Sequence, residues 1–233
     1  MSKKSKLTLI IDGNWLLMSR FSVLSSQYND EDQMCKELQL LMLKSINLVT
    51  KTFTDIDNII FVSDGGSWRN SLDIPNFLYD EKQYEDQSVE YKGQRHLPEG
   101  VNWELVFKYY EEFIDILNKN NITTCRSQNI EGDDWCWYWS NKLNNEGINV
   151  ILWSKDNDLK QLVNTDSNGC FTVWWNKDNG LFKKAVDENE MNWFFNNEYS
   201  QNEIILNNII KKSGKVTNIN PHEIVVEKIF MGD

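Results

Sequence analysis

The apolar positions of the chain follow two rhythms. Three short runs rich in Ile, Leu and Val, KLTLIID at 6–12, NIIFVSD at 58–64 and NVILWSKDND at 149–158, are continuous rather than alternating. That is the pattern of strands covered on both faces. Between them the spacing lengthens to helical intervals, with Met34, Leu38, Leu41 and Leu48, then Val101, Leu105, Tyr109, Phe113 and Ile116 or Leu117. A further helix is predicted in GDDWCWYWSNKLNNEG, where Trp135, Trp139 and Leu143 stand at i, i+4 and i+8 and Gly147 supplies the stop. Strands alternating with helices predict an α/β domain with a mainly parallel central sheet and helices on both faces.

Each of the three strands ends on a carboxylate, and in a parallel sheet the carboxyl ends share one edge, where open α/β sheets hold ligands. Asp12, Asp64, Asp156 and Asp158 are therefore expected to converge. Asp133 and Asp134, in the first turn of the helix, and Glu131 just before it bring the number of acids to seven. One acid would serve the helix dipole, worth about 0.3–1 kcal/mol. At about 5 Å and an effective dielectric near 20, each ionised pair repels by roughly 3 kcal/mol, so such a cluster must take up protons or cations. Oxygen ligands without imidazole or thiolate suit a hard ion, Mg2+ or Mn2+, and this many acids suffice for two ions. Two divalent ions clamp the attacking and leaving oxygens of a phosphodiester.

The 233 residues are 40% hydrophobic, enough for one large core or two small ones. A net charge of −11 would by itself argue against a polyanionic partner, but an acid cluster filled by cations becomes part of a phosphate-binding site. Cys35, Cys125, Cys136 and Cys170 form no C-x-x-C pair, and with His96 and His222 as the two histidines a zinc site is not expected; the cysteines read as reduced packing residues. The run LTLII is too short for a signal peptide and nothing approaches the ~18 apolar residues of a membrane span, so the chain reads as cytosolic.

The segment SDGGSWRNSLDIPNFLYDEKQYEDQSVEYKGQRHLPEG, 63–100, is a long polar connection of the kind that more often forms a lid than filler. Within it Lys92 and Arg95 stand three apart, on one face of a helical turn, and Arg69 adds a third cation. Beside a metal cluster these charges read as phosphate-steering groups.

Taken together these residues resemble the 5′ nuclease superfamily, which comprises flap endonucleases, the 5′-nuclease domain of bacterial DNA polymerase I and, in closest likeness, the bacteriophage ribonuclease H. IIDGN resembles the family's first strand with its metal-binding Asp. FVSDGGSWRNSL followed by YKGQR resembles the second acidic strand and the helical arch, expected over 66–100. EGDD resembles the family's EADD, SKDNDLKQL its S-x-D-x-D-x-x-Q-L segment, and the terminal FMGD the opening of GD-x-x-DN. The resemblance spans nearly the whole chain as a single nuclease domain, 1–233. It implies metal-dependent cleavage of 5′-ended, flap or single-stranded DNA, and of RNA in RNA–DNA hybrids, in replication or repair, in the host cytoplasm for a phage-encoded protein.

Carried over by position, the resemblance puts Asp12, Asp64, Glu131 and Asp133 around a first ion, with Asp133 shared, and Asp156, Asp158 and Asp233 around a second; Asp134 would act through water. Arg69, Lys92 and Arg95, with Tyr91 beside them, would hold the phosphate and offset its charge. No protein nucleophile is needed: Ser154 precedes the acidic pair, but neither histidine lies in a motif with it. The family continues beyond GD into a further acid and a duplex-gripping helical motif, for which a separately encoded partner is one source.

The aromatic clusters WCWYW and VWW read as core rather than stacking platforms. Residues 176–215, Asn-rich, with NKDNG at the start and KKSGK near the end, read as an insertion or flexible segment in which KKSGK could touch the phosphate backbone. Two other readings share the acids: a Mg2+-dependent phosphohydrolase of small phosphate esters, which has little use for a basic lid, and a nucleic-acid-binding subunit whose catalysis needs a partner.

Overall fold

The computed structural model describes residues 6–53, 55–67, 97–166, 169–184 and 199–231. The strands over these residues are β1 (Lys6–Asp12), β2 (Asn58–Val62), β3 (Thr123–Cys125), β4 (Ile148–Trp153), β5 (Asn164–Thr165), β6 (Phe171–Asn176), β7 (Gly180–Lys184) and β8 (Val216–Ile219). They form one sheet in the order β3-β2-β1-β4-β6-β7-β8, with β5 paired antiparallel to β6. From β3 to β6 every neighbouring pair is parallel; β6 and β7 are antiparallel, and β7 and β8 parallel again. The expected α/β architecture with a mainly parallel sheet is the one observed.

Both faces of the sheet are covered, which is why its inner strands read as continuous apolar runs. Leu7, Leu9 and Ile11 of β1 join one core with α1 (Gly13–Leu24), α2 (Glu31–Thr52) and α3 (Trp103–Lys119). Ile10 points the other way, into a second core with Cys136 and Leu143 of α4 (Gly132–Asn145) and Leu159 of a 3-10 turn at Asp158–Leu162. The alternation follows from the two-residue period of a strand. Phe61, fully buried against Tyr110 and Phe113, anchors α3 to β2; truncation to Ala would cost about 3–5 kcal/mol.

Helix starts are fixed by side chains that accept otherwise orphaned N–H groups. Asp12 caps α1 through Trp15 N, Asp30 caps α2 through the amides of Asp32 and Gln33, and Asn102 caps α3 through Leu105 N. In α4, Glu131 and Asp134 form a capping box, and Gly147, at φ 78°, follows its end. The acids at 133 and 134 thus occupy the first turn, as the sequence predicts.

Several expectations shift. The buried face of α3 runs through Val106, Tyr110, Phe113, Ile114 and Leu117, so Phe113 and Leu117 are buried as expected while Val101, Leu105 and Tyr109 are only half-buried. On α2, Met34 and Leu38 are buried with Met42, Ile46 and Val49, but Leu48 is 58% exposed. The third apolar run leaves the sheet at Trp153, and the second at Val62, so their acids lie just past the strands. Helix α1 has no counterpart among the expected elements. Residues 176–215 hold β7 and all of α5 (Tyr199–Ser213) over their described parts, and β8 and α6 (Pro221–Met231) follow. VWW lies in β6 and is buried, whereas Trp137 and Tyr138 of WCWYW are 58% and 42% exposed. All four cysteines are buried and free. No described helix is long and apolar enough to cross a membrane.

Candidate active site

Register brings the acids together. Asp12 pairs with Val62 across β1 and β2, and Ile11 with Trp153 across β1 and β4. The chain after β2 (Ser63, Asp64) and after β4 (Ser154 to Asp156) therefore leaves the sheet at the level of Asp12. The N-terminus of α4 closes the same edge, because Gly132 N donates to Asp64 Oδ1 at 2.5 Å. A Cβ on Gly132 would stand 3.0 Å from that oxygen, so a side chain there would press on Asp64.

Each acid is held by particular donors. Asp12 accepts from Trp15 N at 3.0 Å through Oδ1 and from the Ser154 hydroxyl at 2.6 Å through Oδ2. Ser154 Oγ in turn accepts from Asp156 N at 2.9 Å, and Asp156 Oδ1 accepts from Asp158 N at 2.9 Å. Asp64 Oδ2 accepts from Asn14 Nδ2 at 2.5 Å. The buried Ser63 and Tyr110 hydroxyls bond each other behind it. The Asp64 carbonyl accepts from Arg126 Nε at 2.9 Å, and Arg126 pairs with Glu111. Glu131 is buried in the capping box with Asp134, whose Oδ2 accepts from Glu131 N at 3.3 Å. Asp158 forms an ion pair with Lys228 of α6.

The electrostatics show that charge is concentrated here. Burial pushes the Asp12 carboxyl up to about 6; the Ser154 and Trp15 hydrogen bonds work against this, and the charges of Asp64 and Asp156 add to it. The thiol of Cys136, fully buried on α4, is held well above its ordinary range by burial first, then by the charges of Asp12, Asp133, Asp64 and Asp156. Four of the expected acids thus act on one buried atom. Burial likewise raises the Tyr110 hydroxyl, with Asp12 and Asp64 adding to the effect.

Among the described residues no group of three His, Cys, Asp or Glu side chains is set to hold a metal ion as it stands. Both oxygens of Asp12 and of Asp64, and one oxygen each of Asp156 and Asp158, already face the protein's own donors, so an ion here would share or displace these bonds. The donor chemistry fits a hard divalent cation nonetheless: Asp12, Asp64, Asp133 and Asp156 offer only oxygens, and a buried carboxylate raised to about 6 beside other acids favours any added positive charge.

Arg69, Tyr91, Lys92 and Arg95 of the expected lid lie outside the described residues, as does Asp233. Asn14, Ser63, Arg126 and Lys228 were not among the expected site residues. Asn14 stands inside IIDGN, and its amide beside the first acid was a usable signal; Lys228 carried none.

No family model matches the chain. It is similar to the 5′-3′ exonuclease of Mycoplasmopsis pulmonis (strain UAB CTIP), with 26% identity over 160 residues that cover 69% of this chain and 46% of that protein. A second relative is the 5′-3′ exonuclease of Buchnera aphidicola subsp. Acyrthosiphon pisum (strain APS), 26% identical over 167 residues, 71% of this chain and 51% of that one. The chain spans about half the length of these curated relatives. Among solved structures it is similar to the T5 D15 protein co-crystallised with metal ions, at 20% identity and a TM-score of 0.48, over 73% of this chain and 55% of the other.

Proposed function

We propose that this chain is a divalent-metal-dependent 5′ nuclease of the 5′-nuclease and flap-endonuclease superfamily, a reading supported by its similarity to two 5′-3′ exonucleases. Its substrates would be 5′ ends, flaps and single strands of DNA, with RNA in RNA–DNA hybrids as a second class. The observation that supports the reading is the strand register, which brings the ends of β1, β2 and β4, with Asp12, Asp64 and Asp156 at or just past them, to one sheet edge where the Gly132 amide of α4 also docks on Asp64.

In this reading Asp12, Asp64, Glu131 and Asp133 hold one Mg2+ or Mn2+, and Asp156, Asp158 and Asp233 a second, with Asp134 acting through water. When bound, such ions supply Lewis acidity and positive charge to the reacting phosphodiester. The protein's own groups prepare the carboxylates. Ser154 holds Asp12 and the Asp156 backbone in one chain of hydrogen bonds. Asn14 and the Gly132 amide fix both oxygens of Asp64. Arg69, Lys92 and Arg95, with Tyr91, would orient the phosphate and offset charge growing on its oxygens.

The test is a cleavage assay with Mg2+ on a 5′-labelled DNA flap, an RNA–DNA hybrid and a small phosphate ester. The parent should cut the nucleic acids, and Asp133→Asn and Asp156→Asn should abolish cutting while keeping the parental circular dichroism. Hydrolysis of the ester alone would replace this reading with a phosphohydrolase. Variants that cut at the parental rate would remove the two-metal assignment.

A further inference from the structure

On the α1 side of the sheet, three indoles form a continuous wall: Trp15 and Trp153 are 5.6 Å apart between ring centroids, and Trp153 and Trp175 are 6.0 Å apart. They line a cavity of about 630 Å³, within the range of about 300–1,000 Å³ that small-ligand sites occupy. Among the described residues its charged groups are Arg20, Lys155, Lys177, Lys212 and the carboxylate of Asp178.

That carboxylate is shared. Asp178 is held below its ordinary range by the hydrogen bond and charge of Lys155, then by the charges of Lys177 and Arg20. Arg20 is anchored by neutral hydroxyls, donating from Nε to Ser45 Oγ at 2.8 Å and from Nη1 to Ser19 Oγ at 3.4 Å. The indole N–H of Trp175 is buried and has no hydrogen-bond partner, a donor that an acceptor in the cavity would satisfy after a small shift of the ring. Leu48, which the helical spacing of α2 expects to be buried, is 58% exposed and lines the cavity instead. Trp153 and Trp175 belong to the core, but the half-buried Trp15 and the exposed Leu48 add an apolar side to the cavity that an anion bearing a flat apolar ring would use.

The place of the cavity narrows the ligand further. Trp15 N donates to Asp12, and Trp153 and Lys155 flank the Ser154 that holds Asp12. The cavity therefore adjoins the acid cluster on the same sheet edge. Lys177 comes from the polar NKDNG turn and Lys212 from the basic KKSGK, neither of which the carboxylate site uses.

We propose that this cavity is a nucleotide-binding subsite, in which Arg20, Lys155, Lys177 and Lys212 hold a phosphate of a single nucleic-acid strand and Trp15 and Leu48 receive the adjoining base. The identity of the strand rests on the nuclease reading; the affinity of the cavity is measured without it. Stacking of a base on an aromatic ring is sequence-tolerant, so the subsite holds the strand in place without selecting its sequence.

The test measures binding of a single-stranded DNA oligonucleotide and of AMP to the full chain in chelator, by tryptophan fluorescence and by anisotropy over a salt series. Lys177→Gln/Lys212→Gln, at two exposed positions, should weaken strand binding about tenfold. It should also lower the magnitude of the slope of log K against log salt by up to about 0.7, the contribution of one phosphate contact on a single strand. Lys119→Gln, at the end of α3, should change neither. Equal affinity and slope in the double variant and Lys119→Gln would overturn the subsite. AMP bound as tightly as the strand would overturn the strand as its occupant. Strand binding that depends on Lys177 and Lys212 in a protein that cuts no nucleic acid would leave the subsite standing and remove the nuclease reading. Cutting by a protein whose strand binding ignores these lysines would do the reverse.

Discussion

Ser154 donates its hydroxyl to Asp12 Oδ2 over 2.6 Å, tying the end of β4 to the end of β1 across 142 residues of sequence. Because this bond favours the ionised carboxylate, Ser154→Ala should drive the Asp12 carboxyl above its value of about 6. The acidic limb of the pH–cleavage profile should then move to higher pH, and the buried acceptor left behind should cost about 1–3 kcal/mol of stability. Ser154→Thr, which keeps the hydroxyl, should restore both. An unmoved limb in Ser154→Ala would separate Ser154 from Asp12 in function.

Asp12 also sets a pH dependence of the metal-free fold. Its carboxyl stands at about 6 in the folded protein against an ordinary 3.8, so between about pH 4 and 6 the folded state binds a proton that the unfolded chain has released. Stability in chelator should therefore fall as pH rises through that window, by about 3 kcal/mol in total at about 1.4 kcal/mol per unit. Asp12→Asn should remove this slope and be the more stable protein above pH 6, while losing cleavage. Urea melts at half-unit pH steps measure it; a parental slope retained in Asp12→Asn would place the proton on another group.

The parallel core and the meeting of the acids were legible because both are written in consecutive residues: an unbroken apolar run says a strand is covered twice, and the carboxylate after it says which edge it leaves from. The buried face of α3 was legible at Phe113 and Leu117 but elsewhere only to within one residue, since Leu105 and Tyr109 lie beside the true stripe of Val106 and Tyr110 and share its period. The β6–β7–β8 extension was not legible. β7 begins at Gly180, at φ 84°, where a Cβ would stand 2.4 Å from the Lys215 carbonyl oxygen, and a pairing that depends on such a distant approach leaves no local pattern. The partners of the acids depend on distant approaches as well. Asn14 and Ser154 reach Asp64 and Asp12 through strand register, and Lys228 reaches Asp158 through helix docking, although Asn14 stands inside a motif that the sequence singles out.

Gly65 controls the loop that carries Asp64. Its N–H donates to Ile130 O at 2.9 Å and its carbonyl accepts from Asn129 N at 3.2 Å, while a Cβ would stand 1.9 Å from the Ser127 carbonyl oxygen. Backbone cannot yield as a side-chain tip can, so Gly65→Ala should cost about 1–3 kcal/mol and separate Asp64 from the Gly132 amide. Cleavage should fall further than the loss of folded protein accounts for. Gly147→Ala, where a Cβ meets nothing within 4 Å but φ is 78°, should lower stability with cleavage per folded molecule unchanged, and the contrast between the two checks the argument.

The ion pair between Lys228 and Asp158 sets a competition at the proposed second ion. Asp158 is the acid that follows Asp156 across one residue, and the Lys228 ammonium of α6 already takes one of its oxygens, at side-chain exposures of 28% and 37%. An ion that uses Asp158 must displace or share that ammonium and meets its charge as well. A partly exposed pair of this kind is worth at most about 1 kcal/mol, which as a competing interaction corresponds to about fivefold in metal affinity. Lys228→Gln should therefore lower the Mg2+ concentration for half-maximal cleavage by up to about fivefold, and Asp158→Asn should raise it in the presence or absence of Lys228. Calorimetric titration of the nucleic-acid-free protein separates this from substrate effects: the weaker of two binding events should tighten in Lys228→Gln while the stronger stays in place. Weaker binding of both ions in Lys228→Gln would instead make the lysine a support that holds Asp158 in position for the metal.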